Sequence, residues 1–205
     1  FAAQVEVGVG LNNPYLTYET NMRGTYSLLE GIRQSGINVD SIVIASSDKA
    51  YGSYPSKMMP YSEDYPLIPV YPYDVSKASA DMIAQSYSRE PFKLPIVVTR
   101  FCNIYGPGQL NFSAIVPDAI RSALRYSSFI PRGNGRQVRD FIYVKDVVEL
   151  YLLISHKLFS SPKKIRGQIF NAGTNKGVSV KEVLKKIFDI CQNKEDYKKI
   201  VILMQ

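Results

Sequence analysis

The stretch SIVIASSDKAYG, residues 41–52, decides how the chain is read. Its opening, Ser41 to Ser46, is a short β-branched strand, and a polar, Pro-rich loop from Tyr51 to Pro72 follows. Working backward, Thr17 is expected to cap a helix that runs through Leu28, Leu29 and Ile32 and stops at Gly36. Working forward, a helix from about Asp74 to Arg89 leads into Pro95 to Phe101 (PIVVTRF), which reads as a second buried parallel strand. Asn103 to Ser113 is a loop and Val116 to Tyr126 is helical, while Phe129 to Arg139 is Gly- and Arg-rich with short strand potential. Val144 to Leu158 is the most apolar helix. Gln168 to Ala172 predicts a third strand, Ser179 caps a further helix, and Lys199 to Met204 is expected to be a last strand. Helix-period and strand-like segments alternate, without repeats, so the chain is α/β. Ligands of open α/β sheets bind beyond the carboxyl ends of the strands. Ser46 to Lys49, Phe101 to Gly108 and Asn171 to Gly173 follow the three strands and are expected to line one crevice.

With 205 residues, 45% of them hydrophobic, the chain can form one large domain or two small lobes sharing a core. No run approaches the roughly 20 apolar residues of a membrane span. Phe1 to Gly10 lacks the charged start of a secretory signal, so a soluble cytoplasmic protein is expected. Cys102 and Cys191 have neither metal-ligand spacing nor redox pairing, and both read as reduced packing residues. No metal site is expected. The lone His156 reads as a surface or capping residue.

The net charge of +7 invites a nucleic-acid reading, but its location argues otherwise. Residues 1–156 are balanced, whereas residues 157–205 hold 11 basic and 4 acidic residues. Lys181, Lys185 and Lys186 flank apolar Val183, Leu184, Ile187 and Phe188, the pattern of an amphipathic helix with a solvated lysine face. Neither nucleic acid nor membrane is an expected partner.

Tyr73 and Lys77 stand four apart at the start of a helix, so they share a face. An ammonium beside a phenol favours phenolate, which predicts a Tyr73 pKa lowered from its ordinary value of about 10. Ser47 lies just past the first strand, where its hydroxyl can share a substrate oxygen with Tyr73. Together the three form a catalytic proposal.

This arrangement, with Pro72 before the tyrosine and Ser76 before the lysine, resembles the extended short-chain dehydrogenase/reductases that modify nucleotide sugars. The resemblance also runs through Ala2-Ala3-Gln4, Glu19-Thr20-Asn21, Gly24-Thr25, Ser46 to Gly52, Arg100 to Pro107 (RFCNIYGP) and Arg139-Asp140-Phe141. It implies an incomplete Rossmann-like parallel sheet, with a partial NAD-binding domain over residues 1–107. A smaller substrate-binding lobe is implied over 108–205, from which 137–172 returns to the first domain. It implies NAD as cofactor, contacted by Ala2, Ala3, Gln4, Asn21, Ser46, Tyr73, Lys77, Arg100 and Cys102. A nucleoside-diphosphate sugar is the implied substrate and a homodimer the implied assembly, through helices Thr17 to Ser35 and Asp74 to Arg89.

Within this family Asp48-Lys49 is the informative pair. The dehydratases carry an acidic residue and then Glu or Lys directly after the Ser or Thr, because removing water across C5 and C6 needs an acid and a base. The resemblance therefore implies a 4,6-dehydratase with Ser47, Asp48, Lys49, Tyr73 and Lys77 as catalytic residues. In that mechanism Lys49 is neutral and takes the C5 proton, while Asp48 protonates the departing C6 hydroxyl. For substrate, it implies Arg139 as the diphosphate clamp with Asn103 and Ser47 nearby, and Val116, Pro117, Arg132 and Asn171 as further contacts. PYDVSKASAD and VRDFIYVKD look most like CDP-glucose 4,6-dehydratases, from whose Gly-Gly-Gly-Asp run Gly106-Pro107-Gly108-Gln109 departs.

The family opens on a strand and a G-x-x-G-x-x-G turn that approaches the NAD pyrophosphate, which these residues do not contain. Ala2-Ala3-Gln4 corresponds to a position after the family's fourth strand, where His commonly stands in the place of Phe1. The 205 residues by themselves are therefore expected to hold NAD weakly and not to turn over, and Ser41 to Ser46 to present an unpaired edge. A 4-epimerase and a non-catalytic nucleotide-sugar-binding remnant are the alternative readings.

Overall fold

A computed structural model describes residues 2–204. Phe1, the position compared above with the family's histidine, lies outside the described residues. In chain order, α1 (Val7–Asn12), α2 (Pro14–Tyr18), a π-helical turn (Glu19–Arg23) and α3 (Gly24–Ser35) lead to β1 (Ile42–Ser47). A 3-10 turn (Asp48–Tyr51), a second one (Ser56–Met58), α4 (Pro72–Ser88) and β2 (Ile96–Phe101) follow. Next come β3 (Asn103–Tyr105), α5 (Ile115–Ala123), β4 (Val138–Arg139), β5 (Phe141–Tyr143) and α6 (Val144–Ser160). The chain ends through α7 (Pro162–Ile165), β6 (Ile169–Ala172), β7 (Val178–Ser179), α8 (Val180–Ile190) and α9 (Lys194–Leu203).

Two compact units result, one from residues 2–102 and 145–172, the other from 103–144 and 173–204. The chain thus crosses after Cys102 and returns at Lys145, where the boundaries read from sequence were 107 and 137. In the first unit the sheet is parallel with order β1-β2-β6, Ala45 lying beside Thr99 and Thr99 beside Phe170. β2 is central and buried along its whole length, which is why its sequence lacks polar alternation. Leu29, Ile42, Ala84, Ile96 and Val98 pack on one side of this sheet and Val97, Ile154 and Leu158 on the other. β1 is an edge strand among the described residues.

The second unit has two small ladders, parallel β3-β5 and antiparallel β4-β7, and an apolar core of Ala119, Ala123, Leu184, Phe188, Ile200 and Met204. Ser179 caps α8 as expected, in a reciprocal box with Glu182.

Three expectations fail, the first being that Asn103 to Ser113 is all loop, since Asn103–Tyr105 pair with β5 as strand β3. Thr17 is no cap, because the helix already begins at Pro14, with the Asn13 side chain accepting from the Leu16 amide. Thr17 is instead fully buried, its hydroxyl donating to Gln4 Oε1. Lys199 to Met204 is not a strand but part of α9, capped by Asn193. Its β-branched residues suggested extension, yet Ile200 and Met204 are four apart and both reach the core, a helical spacing.

Among the described residues neither cysteine forms a disulfide, both are half-buried, and His156 is exposed on α6. Among the described residues no helix is long and apolar enough to cross a membrane, and no cluster of His, Cys, Asp or Glu could hold a metal.

Candidate active site

The carboxyl end of β1 and the start of α4 meet within the first unit. Pro72 is well placed at the first helical position, where its missing N–H is no loss. Tyr73 and Lys77 follow one turn apart on the buried face, with 9% and 7% exposure. Lys77 Nζ donates to the Ala45 carbonyl at 3.0 Å, and Ser46 Oγ donates to the Lys77 carbonyl at 3.4 Å, so β1 and α4 hold each other in register. Ser47, also buried, hydrogen-bonds the Tyr73 phenol. The three residues of the sequence proposal are brought together.

Their electrostatics differ from the expectation. Burial pushes the Tyr73 phenol up to about 12; the Ser47 hydrogen bond works against this, and the negative charges of Asp48 and Asp74 add to it. Lys77 does not lower it. Burial draws the Lys77 ammonium down to about 8, so the same dry surroundings disfavour both charged forms. The phenol is therefore protonated at neutral pH.

Asp48 and Lys49 begin the 3-10 turn after β1, which Ser47 caps by accepting from the Lys49 amide at 3.2 Å. Ser47 Oγ also donates to Asp48 Oδ1 at 3.1 Å. Asp74, buried in the first turn of α4, was not singled out from sequence. Burial raises its carboxyl; Lys49 opposes that and Asp48 adds to it. Asp48 and Asp74 thus act on the phenol, and Lys49 on Asp74. Asp74 stands in the quoted motif PYDVSK, so the signal was present, but helix position alone did not show that it faces Lys49.

Among the residues the resemblance assigned to NAD, Asn21 is buried and accepts from the Gln4 amide at 2.8 Å. Its Nδ2 donates to the Gln4 carbonyl and to Ser76 Oγ, both at 2.9 Å. It ties the Ala2-Ala3-Gln4 segment to α4. Cys102 lies half-buried after β2, with its amide on the Ala172 carbonyl.

The side chains of Arg100 and Asn171 do something other than the resemblance implies. Arg100 is 3% exposed and forks onto fully buried Asp81, Nε at 2.8 Å and Nη2 at 3.3 Å. Its Nη1 donates to the Tyr51 hydroxyl at 2.8 Å and to the Glu63 carbonyl at 3.2 Å. The Asn171 amide accepts from Tyr51 at 2.7 Å and donates to the Tyr61 carbonyl at 2.9 Å. Both side chains are taken up in anchoring the 51–72 loop. Gly52 completes the anchor with φ 75° and its Cα against Ile68, whose carbonyl oxygen would lie 2.1 Å from any added Cβ.

In the second unit, Arg132 and Arg139 are exposed and line one cavity of about 240 Å³ with Ser113, Gln137 and Met204. Among the described residues the Arg139 guanidinium has a single acceptor, the Val138 carbonyl at 2.8 Å. Asn103 donates to the Asp140 carbonyl at 2.9 Å. Val116 and Pro117 lie in α5, between the cavity-lining Ile115 and Asp118.

A family profile described as the NAD dependent epimerase/dehydratase family matches residues 1–173. Human dTDP-D-glucose 4,6-dehydratase is 33% identical over 190 residues, 93% of this chain and 51% of that protein. The chain thus spans about half the length of this relative. Among solved structures, a double mutant of the dTDP-glucose 4,6-dehydratase DesIV from Streptomyces venezuelae, with NAD bound, matches with a TM-score of 0.80 and 29% identity. That match covers 92% of this chain and 55% of DesIV. The UDP-N-acetylglucosamine 4-epimerase of Methanobrevibacter ruminantium matches with a TM-score of 0.81 and 26% identity, over 94% of this chain and 59% of the epimerase.

Proposed function

The chain belongs to the NAD dependent epimerase/dehydratase family, and from that premise we propose that the protein carrying it is a nucleotide-sugar 4,6-dehydratase. It would convert a nucleoside-diphosphate hexose to the 4-keto-6-deoxy sugar. One observation supports the choice of reaction: in the turn directly after Ser47, Asp48 acts electrostatically on the Tyr73 phenol, and Asp48 and Lys49 both act on Asp74 beside it. A 4-epimerase has no use for an acid and a base at that place.

The residues present fit an NAD-dependent site. The Lys77 ammonium is buried and gives one hydrogen bond to Ala45, which leaves N–H donors for ribose hydroxyls. When bound, NAD supplies the acceptor for the C4 hydride and later its donor to C6. Tyr73 takes the C4 hydroxyl proton, with Ser47 orienting that oxygen. The phenol must first lose its own proton, a loss that the Ser47 hydroxyl favours. The resulting ketone acidifies C5–H, and Lys49 removes that proton. Asp48 protonates the C6 hydroxyl, which leaves as water as the C5–C6 double bond forms. Lys49 returns its proton to C5 as C6 is reduced, and solvent exchange resets Tyr73 and Asp48.

Arg139 and Arg132, exposed around one cavity, suit the diphosphate, since a guanidinium matches phosphate oxygens bidentately. The CDP-glucose-like substrate rests on the sequence motifs alone. The test is nucleoside-diphosphate glucose deuterated at C4, offered as the cytidine, thymidine and uridine forms. A dehydratase moves the deuterium into a new C6 methyl group. Inversion at C4 without a methyl group would establish the epimerase reading instead, which the match to the Methanobrevibacter enzyme keeps in play.

A further inference from the structure

The first unit holds its two groups of reactive residues by separate fastenings. Tyr73 and Lys77 are registered against β1 by the contacts of Lys77 and Ser46 described above. Asp48 and Lys49 belong to the 3-10 turn, and that turn is fastened at its far end, through Tyr51. Tyr51 is fully buried. Its hydroxyl accepts from Arg100 and donates to Asn171, and its ring stacks on Tyr61 at 4.6 Å. Tyr61 in turn donates to the Gly52 carbonyl at 2.9 Å, closing the turn from outside. Arg100 is itself immobilised by Asp81, which lies two helical turns beyond Tyr73 on the same face of α4.

We infer that Asp81, Arg100 and Tyr51 are positioning residues that set the Asp48-Lys49 turn against α4, and that they serve the elimination step and not the oxidation at C4. The inference rests on the dehydratase reading. Its physical basis is that a short 3-10 turn is weakly held by its own hydrogen bonds. The direction of Asp48 and Lys49 therefore depends on what grips the turn's end. An ångström of misplacement costs a proton transfer heavily, while the helix bearing Tyr73 and Lys77 keeps its own contacts with Ala45 and Ser46.

The experiment is Tyr51→Phe in the full-length, NAD-holding enzyme, with C4-deuterated nucleoside-diphosphate glucose. Expected are first-turnover reduction of the cofactor within about twofold of the parent, an unchanged KM, and release of 6-deoxy product lowered at least tenfold, with enzyme-bound 4-keto-glucose accumulating. Should Tyr51→Phe fail to fold, the half-exposed hydroxyl is removed instead by Tyr61→Phe, expected to act on elimination alone by threefold or more. Equal slowing of both steps, or none of either, overturns the inference and leaves the dehydratase reading intact. A parent enzyme that makes no 6-deoxy product overturns the reading, and the inference falls with it.

Discussion

Arg100 and Arg139 both stand in or beside strands of motifs quoted from the sequence, and the two units use them in opposite ways. Arg100, in the first unit, is sealed in and bonded to Asp81, Tyr51 and Glu63. Arg139, in the second, is exposed, and among the described residues its guanidinium bonds only the Val138 carbonyl. The same side chain is a fastening where a carboxylate meets it in the dry interior, and stays open to solvent where none does. Residue type alone does not separate the roles; the companion does.

The sharpest way to break this contrast is to remove the companion. Asp81→Asn leaves a buried guanidinium without its counter-charge and should cost about 3–5 kcal/mol in denaturant unfolding. Arg139→Ala should change stability by less than about 0.5 kcal/mol, while calorimetry shows the affinity for a nucleoside diphosphate falling by about tenfold or more. Equal stability losses in the two variants would erase the distinction.

Lys77 offers a second cut, being a buried cation with no carboxylate companion among the described residues. Its pKa is drawn from 10.5 to about 8, so the folded protein holds fewer protons than the unfolded chain between those values. Stability should therefore rise with pH across that window. Lys77→Met removes the titrating group, so the difference in unfolding free energy between variant and parent should shift by about 3 kcal/mol from pH 7 to pH 11. A flat difference would mean that water reaches the ammonium.

The smallest effect concerns ordinary fastening in the second unit. Ser179→Ala opens the box with Glu182 at the start of α8 and should cost about 1 kcal/mol, read as a lowered thermal midpoint.

Local signals carried the sequence reading where neighbours in the chain decide the structure. Gly36 ends α3 in the left-handed conformation, Ser179 caps α8, and β2 shows its burial on both faces in PIVVTRF itself. Where distant residues decide, the sequence was mute or misleading. The partners of Arg100 lie 19, 37 and 49 positions away, so nothing local marked it as internal. α1 was not anticipated, because VGVGLN has two glycines and little helical preference, and buried Gly10 is kept in place by packing against Thr17 and Tyr73. For the site, motif order singled out Ser47, Tyr73 and Lys77, which stand at the end of β1 and the start of α4, elements that pack together in the fold. The direction of the phenol's shift failed because spacing shows a neighbour's charge but not the removal of water, which here is the larger effect.

The π-helical turn at Glu19–Arg23 gives this region a sensitivity to chain length. It accommodates one residue more than a regular turn holds, and Asn21, which grips both Gln4 and Ser76, sits in its middle. A regular helix advances about 100° per residue. Deleting a single codon there would restore ordinary winding, swing Asn21 out of phase with α3, and release the Gln4 segment from the helix bearing Tyr73. In this part of the gene, substitutions are a milder hazard than a change in length.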